Sequence, residues 1–241
     1  MGTSSARRGP AGRLWRQARG AATRYLSPET AGAVTAREVA ARYVAAWGEA
    51  GEPGLAGALA AWRLTRRVAQ NLGAFGCQVA SQGWPAALSA WGLQDPAAGP
   101  GTAAPALAAA LGMAGGGLEP AVAHTALVGV LLKLREPGSP AAAVDAARLG
   151  QRFLADAFLA RLTLDLGASL EAAAAGFGPL RQGLREIAAC IHQAMEINGL
   201  PTPAPLTPEA WLGLPGWTWV TRALEGLLLH LAAPQKPAHG R

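Results

Sequence analysis

The side chains in this 241-residue sequence with the most to offer chemically are arginines. Arg63, Arg66 and Arg67 stand together, and the four-residue step puts Arg63 and Arg67 on one helix face that Gln70 and Asn71 continue. Arg181 and Arg185 repeat that spacing, and Arg222 opens the last apolar stretch. A guanidinium is a planar fork of N–H donors that pairs bidentately with phosphate oxygens, so such stripes suit a nucleic-acid backbone. Trp62, beside Arg63 and one turn from Arg66, adds a ring on which an unpaired base could stack. A plainer reading uses the same residues. Arginines keep an alanine- and leucine-rich bundle in solution, and the eight tryptophans mostly fill its core.

Other chemistries find less support. Of His124, His192, His230 and His239, only His192 has a ligand-type residue at helical spacing, Glu196, and Cys190 falls on a different face. Two ligands do not make a metal site. Cys77 and Cys190 lie far apart in no paired spacing, which gives neither a disulfide framework nor a zinc pattern and points to a reducing cytoplasm. Asp145, Arg148, Arg152 and Asp156 step along a helix by three and four, the spacing of a solvated salt ladder. Neither a phosphate loop nor a nucleophile elbow nor a dinucleotide fingerprint is present. No catalytic residue, metal or cofactor is therefore expected. An enzyme or ligand-binding bundle would need a residue such as His124 or His192 to line a sizeable cavity.

The elements that must carry these residues are helices. Half of the chain is apolar (51%), apolar residues recur at three and four, and β-branched residues are sparse. The pattern predicts an all-α multi-helix bundle. Helices are expected at 12–25, 35–47, 54–82, 85–91, 103–113, 120–135, 140–166, 169–175, 179–198 and 217–233, with Gly73 and Gly76 able to kink or split the third. Ser27-Pro28-Glu29, Ser139-Pro140 and Thr207-Pro208-Glu209 place a cap before a first-turn proline, and Thr35 to Glu38 has capping-box spacing. Gly83, Gly138 and Asn198-Gly199 are expected terminators. Residues 94–102 form the best interior linker. This gives a basic N-terminal arm or helix (1–26), an N-terminal lobe (27–93), a central helical segment (103–200) and a C-terminal helix and tail (201–241), with two lobes allowed. No apolar run reaches the roughly 18–20 residues of a membrane helix, so no membrane partner is expected.

The formal charge is +6, carried almost wholly by arginine. Arg7, Arg8, Arg13, Arg16, Arg19 and Arg24 all precede the first acid, Glu29. If that cluster is an arm outside the fold, the remainder is nearly neutral, and nucleic-acid binding by the body rests on the local stripes.

Two segments resemble a known family. In Val68 to Trp91, Gln82-Gly83-Trp84 stands where the small helical subunit of type III-B CRISPR (Cmr) effector complexes has Asn-Gly-Leu, and Ala87-Leu88 matches its Ala-Leu step. Val220 to Leu224, followed by Leu227, resembles that family's closing helix. The family's Leu-Pro before the glycine and its closing Trp-Leu and Arg-Phe steps are absent, and residues 94–200 would be an elaboration. The resemblance implies a non-catalytic subunit of a ribonucleoprotein, meeting other protein subunits and crRNA or target RNA. From the residues alone, a helical assembly factor that meets only proteins stays open beside it.

Overall fold

The computed structural model describes residues 12–50, 54–93, 100–113, 117–134, 144–197 and 206–233. Its helices are α1 (Arg13–Leu26), α2 (Ala36–Ala46), α3 (Gly54–Ala61), α4 (Arg63–Gln82), α5 (Trp84–Ala90), α6 (Pro100–Ala110), α7 (Leu118–Leu134), α8 (Ala146–Ala173), α9 (Phe177–Ile197), α10 (Pro208–Leu212) and α11 (Leu214–Ala232), with no strand among the described residues. The fold is an all-α multi-helix bundle. No described helix is long and apolar enough to cross a membrane.

Side-chain caps explain the starts of three helices. Thr35 Oγ1 accepts from Glu38 N and Thr207 Oγ1 from Ala210 N, so α2 and α10 begin where their hydroxyls meet otherwise unpaired amides. Asp145 Oδ1 does the same for Ala147 N and Arg148 N at the start of α8. Ser27-Pro28-Glu29 opens only a single 3-10 turn, without a side-chain cap bond. Gly83 ends α4 with φ at 82°, a conformation that favours glycine, and Pro85 then sits in the first turn of α5. The expected caps and terminators at Ser139-Pro140, Gly138 and Asn198-Gly199 lie outside the described residues.

Three boundaries differ from the sequence reading. Residues 54–82 do split, but at Trp62 rather than at Gly73 or Gly76. Residues 146–173 form one unbroken helix where two were expected. Residues 100–102 of the expected linker are already helical, and its 94–99 portion lies outside the described residues.

The long helix α8 is the centre of the packing. It lies against α1, α4, α7 and α9 and buries Phe153, Leu154, Phe158, Leu162 and Leu166 among them. The buried residues of α1 through α11 belong to a single hydrophobic cluster, so the segments on either side of the 94–102 stretch share one core. An aromatic knot of Trp15, Tyr43, Trp47, Trp62 and Phe158 ties α1, α2 and α8 together through mainly edge-to-face contacts at 5.5–6.2 Å. Here α1 is part of the core: Trp15, Ala18, Ala21 and Ala22, spaced at three and four, are buried against α2 and α8.

Gly73 shows why α4 carries glycines without breaking. Its bare backbone receives the Trp211 ring, and a methyl there would overlap the indole. Gly73→Ala should therefore destabilise the fold by about 1–3 kcal/mol. Gly167, inside α8 with open space around its Cβ position, predicts the opposite sign. Gly167→Ala should stabilise by about 0.5–1 kcal/mol. Thermal unfolding of both variants checks the pair, and equal shifts would refute the packing argument.

Candidate nucleic-acid interface

The structure sorts the expected arginines into different environments. Arg63 and Arg67 are exposed on the first turns of α4 and line a groove of about 630 Å³ together with Gln70, Leu212, Leu214 and Trp217. Arg66 turns the other way and is 9% exposed. Its Nη1 donates to Thr221 Oγ1 at 3.0 Å, its Nη2 donates to the Leu59 carbonyl at 2.9 Å, and its guanidinium carbon lies 4.5 Å from the centre of the Trp217 ring. Burial lowers its pKa from the ordinary arginine value, and the Glu225 and Glu119 carboxylates work against that shift. The expectation that Arg66 meets phosphate is thus corrected. Its two Nη groups are spent on α3 and α11, its Nε is buried without a hydrogen-bond partner, and its place is beneath Trp217.

Trp62 also needs correction. It is 3% exposed, stacked on Phe158 at 5.9 Å and edge-on to Trp47 at 6.2 Å, so no base can reach its faces. Adjacency to Arg63 misled because Trp62 stands at the break between α3 and α4 and turns into the core, while Arg63 faces solvent. Arg181 and Arg185 are exposed on α9, and Arg222 is exposed on α11, but none of the three lines the groove.

The groove has a defined construction. Glu119, in the first turn of α7, accepts from Thr65 N at 2.8 Å and Thr65 Oγ1 at 3.2 Å, which fixes the start of α4. Gln70 Nε2 donates to the Gly213 carbonyl at 2.8 Å and holds the turn between α10 and α11. On that turn Leu212 and Leu214 are 52% and 75% exposed. Trp217 follows them, half-buried. Every other tryptophan packs against a second aromatic ring, whereas Trp217 has only the Arg66 guanidinium among these ring contacts.

A second basic surface lies on α1. On α1 the residues facing away from the core are Arg13, Arg16, Gln17, Gly20, Thr23 and Arg24, and the helix contains no acidic residue. Of the two readings of this segment, arm or helix, the described residues take the helix expected at 12–25, docked on α2 and α8. The signal was available in the burial-type spacing of Trp15, Ala18 and Ala22, which the concentration of arginine obscured.

The remaining candidates resolve into structural roles. His192 Nε2 lies 2.9 Å from Asp156 Oδ1 across α8 and α9, a partner on another helix that its spacing from Glu196 did not reveal. Of the expected surface ladder, the first rung is present, with Asp145 capping α8 and meeting Arg148 at 3.5 Å, while Asp156 also reaches His192 on α9. No group of three or more His, Cys, Asp or Glu able to hold a metal occurs among the described residues. A second hollow of about 530 Å³ is lined by Cys77, Ser81, Asp145, Leu206 and Trp211. The Cys77 thiol there donates to the Leu206 carbonyl at 3.2 Å, and burial raises its pKa, which makes it a poor nucleophile. Neither hollow is lined by a histidine, and His124 is exposed on α7.

No protein-family model matches this chain, and no curated protein or solved structure matches it either.

Proposed function

We propose that this chain is a non-catalytic helical subunit of a cytoplasmic ribonucleoprotein effector complex, of the CRISPR type III-B small-subunit kind. In this reading it meets other protein subunits and holds single-stranded RNA by its phosphates. The observation that carries the reading is the outer face of α1. Arg13, Arg16 and Arg24 stand exposed on an ordered helix whose own sequence contains no acidic residue, and the apolar side of that helix is consumed by the core. Such a face attracts a polyanion without inserting into a membrane, because it presents no apolar residue outward. Arg63 with Arg67, and Arg181 with Arg185, add two further basic steps on α4 and α9. The resemblance of Val68 to Trp91 to the Cmr family points the same way, and in that segment α4 gives way at Gly83 to the short α5.

Fluorescence anisotropy with a labelled single-stranded RNA, repeated across salt concentrations, tests this. Affinity should fall linearly with salt on logarithmic axes, with a slope of about −0.7 for each phosphate neutralised. The variant Arg13→Glu/Arg16→Glu/Arg24→Glu should weaken binding at least tenfold and flatten that slope. Affinity that is absent, or indifferent to salt, would sink the proposal. A protein-only assembly factor is the second reading, favoured by Phe177 and Leu214, which are 76% and 75% exposed. Co-purification with a protein partner and no nucleic acid would select it.

A further inference from the structure

We propose that the groove between the start of α4 and the α10–α11 turn is a stacking subsite for an unpaired nucleotide, with the base against Trp217 and the neighbouring phosphates on Arg63 and Arg67. This rests on the reading of the chain as a single-strand RNA binder and specifies where and how a base is held.

The first argument comes from Trp217 itself. The other tryptophans each meet a second aromatic ring, and Trp217 has none among these ring contacts. Instead a buried guanidinium covers it at 4.5 Å, anchored by bonds to Thr221 and Leu59, so the indole is held firmly while it still lines an open groove. A rigid aromatic at the edge of solvent is what base stacking uses, since each base has a π-face and the ring loses little freedom on contact. The cation beneath also polarises the ring.

The second argument is charge. Arg63 and Arg67 stand one helical turn apart on the opposite wall, roughly 6 Å, a separation that suits consecutive phosphates of an extended strand. Glu119 is the acid in the lining, and its Oε1 is engaged by Thr65. The volume, about 630 Å³, falls within the range of small-molecule sites and is too small for a duplex. Leu212 and Leu214 supply an apolar floor for the edges of a base or sugar.

Labelled oligouridylate and an RNA duplex of equal length serve as probes, with wild-type protein and two sets of variants. Trp217→Ala should weaken single-strand binding by roughly 5- to 100-fold, the range seen when one stacking ring is removed, and leave duplex binding unchanged. Because no charge is lost, its salt slope should equal that of the wild type. Trp217→Phe should recover most of the affinity, and Trp217→Leu, which keeps apolar packing over Arg66, should not. Arg63→Glu/Arg67→Glu should reduce both affinity and slope. If the alanine variant unfolds, the Phe and Leu pair alone decides. Wild-type single-strand affinity in Trp217→Leu overturns the subsite while leaving the α1-based reading intact, because that reading is tested by the separate α1 variant. Failure of the wild type to bind either probe overturns both. Loss of a protein partner in Trp217→Ala, with RNA affinity retained, reassigns the groove to a protein and overturns the subsite.

Discussion

Asp165→Ala lowers the stability of the fold by about 3–5 kcal/mol, the largest loss expected from a single charged residue here. Asp165 is 8% exposed, and its Oδ2 accepts from Tyr43 Oη at 2.8 Å and from Arg161 Nε at 3.0 Å. Arg161 is 15% exposed and lies 4.9 Å from the centre of the Trp47 ring. Burial, followed by the Asp165 charge, raises the Tyr43 pKa well above its ordinary value, so the phenol remains a donor across the neutral range. Removing the carboxylate leaves a guanidinium and a hydroxyl inside the aromatic knot with nothing to receive their protons. Its cost exceeds the net worth of the pair, because the stranded cation is what destabilises. Tyr43→Phe, which removes only a neutral donor, should cost about 1 kcal/mol. The triple replacement Tyr43→Phe/Arg161→Met/Asp165→Leu should recover most of the loss, since apolar side chains of similar volume often replace a buried pair without penalty. Urea unfolding reads all three. An Asp165→Ala midpoint within about 1 kcal/mol of wild type would show that the pair is effectively solvated.

Trp62→Ala is expected to cost a further large amount, about 3–5 kcal/mol, by opening a cavity between Trp47 and Phe158. Its RNA affinity, measured below the lowered melting temperature, should match that of the wild type. Trp217→Ala should behave inversely, with a modest loss of stability and a large loss of single-strand affinity. The two tryptophans thus form an internal control. If Trp62→Ala lost RNA binding while remaining folded, the assignment of Trp62 to the core would fail.

The contrast between these residues shows where the sequence was legible. Helix starts could be read because a cap is a local interaction: Thr35 needs only Glu38, and Thr207 only Ala210. The all-α class followed from apolar periodicity, which is also local. Arg66 could not be read in the same way. Its neighbours Arg63 and Arg67 are exposed, and what buries it is Thr221 and Trp217, some 155 residues further along the chain. Trp217 was hidden for the same reason: its lack of a ring partner is a property of the packed core. On α8, Gly167 and Ser169 resemble an end and a restart, yet the helix continues because neighbouring helices support it on its buried side. His192 was read against Glu196 on its own helix, while its partner Asp156 stands on α8.

The docking of α1 bears on the order of events during synthesis. Its apolar side closes on α8 as well as α2, and bonds such as Tyr25 to Gly183, 158 residues apart, and that of Tyr43 on α2 to Asp165, 122 apart, cannot form until the later helices have left the ribosome. At ordinary elongation rates that interval is roughly 10–30 s. Throughout it, only α2 is at hand to cover Trp15 and its alanines, and the part of the α1 apolar side that meets α8 stays open. A nascent chain with an apolar stripe and no charge would be prone to self-association. Arg13, Arg16 and Arg24 then have a duty that precedes any partner, which is to keep this helix dispersed while the chain that will cover it is still being made.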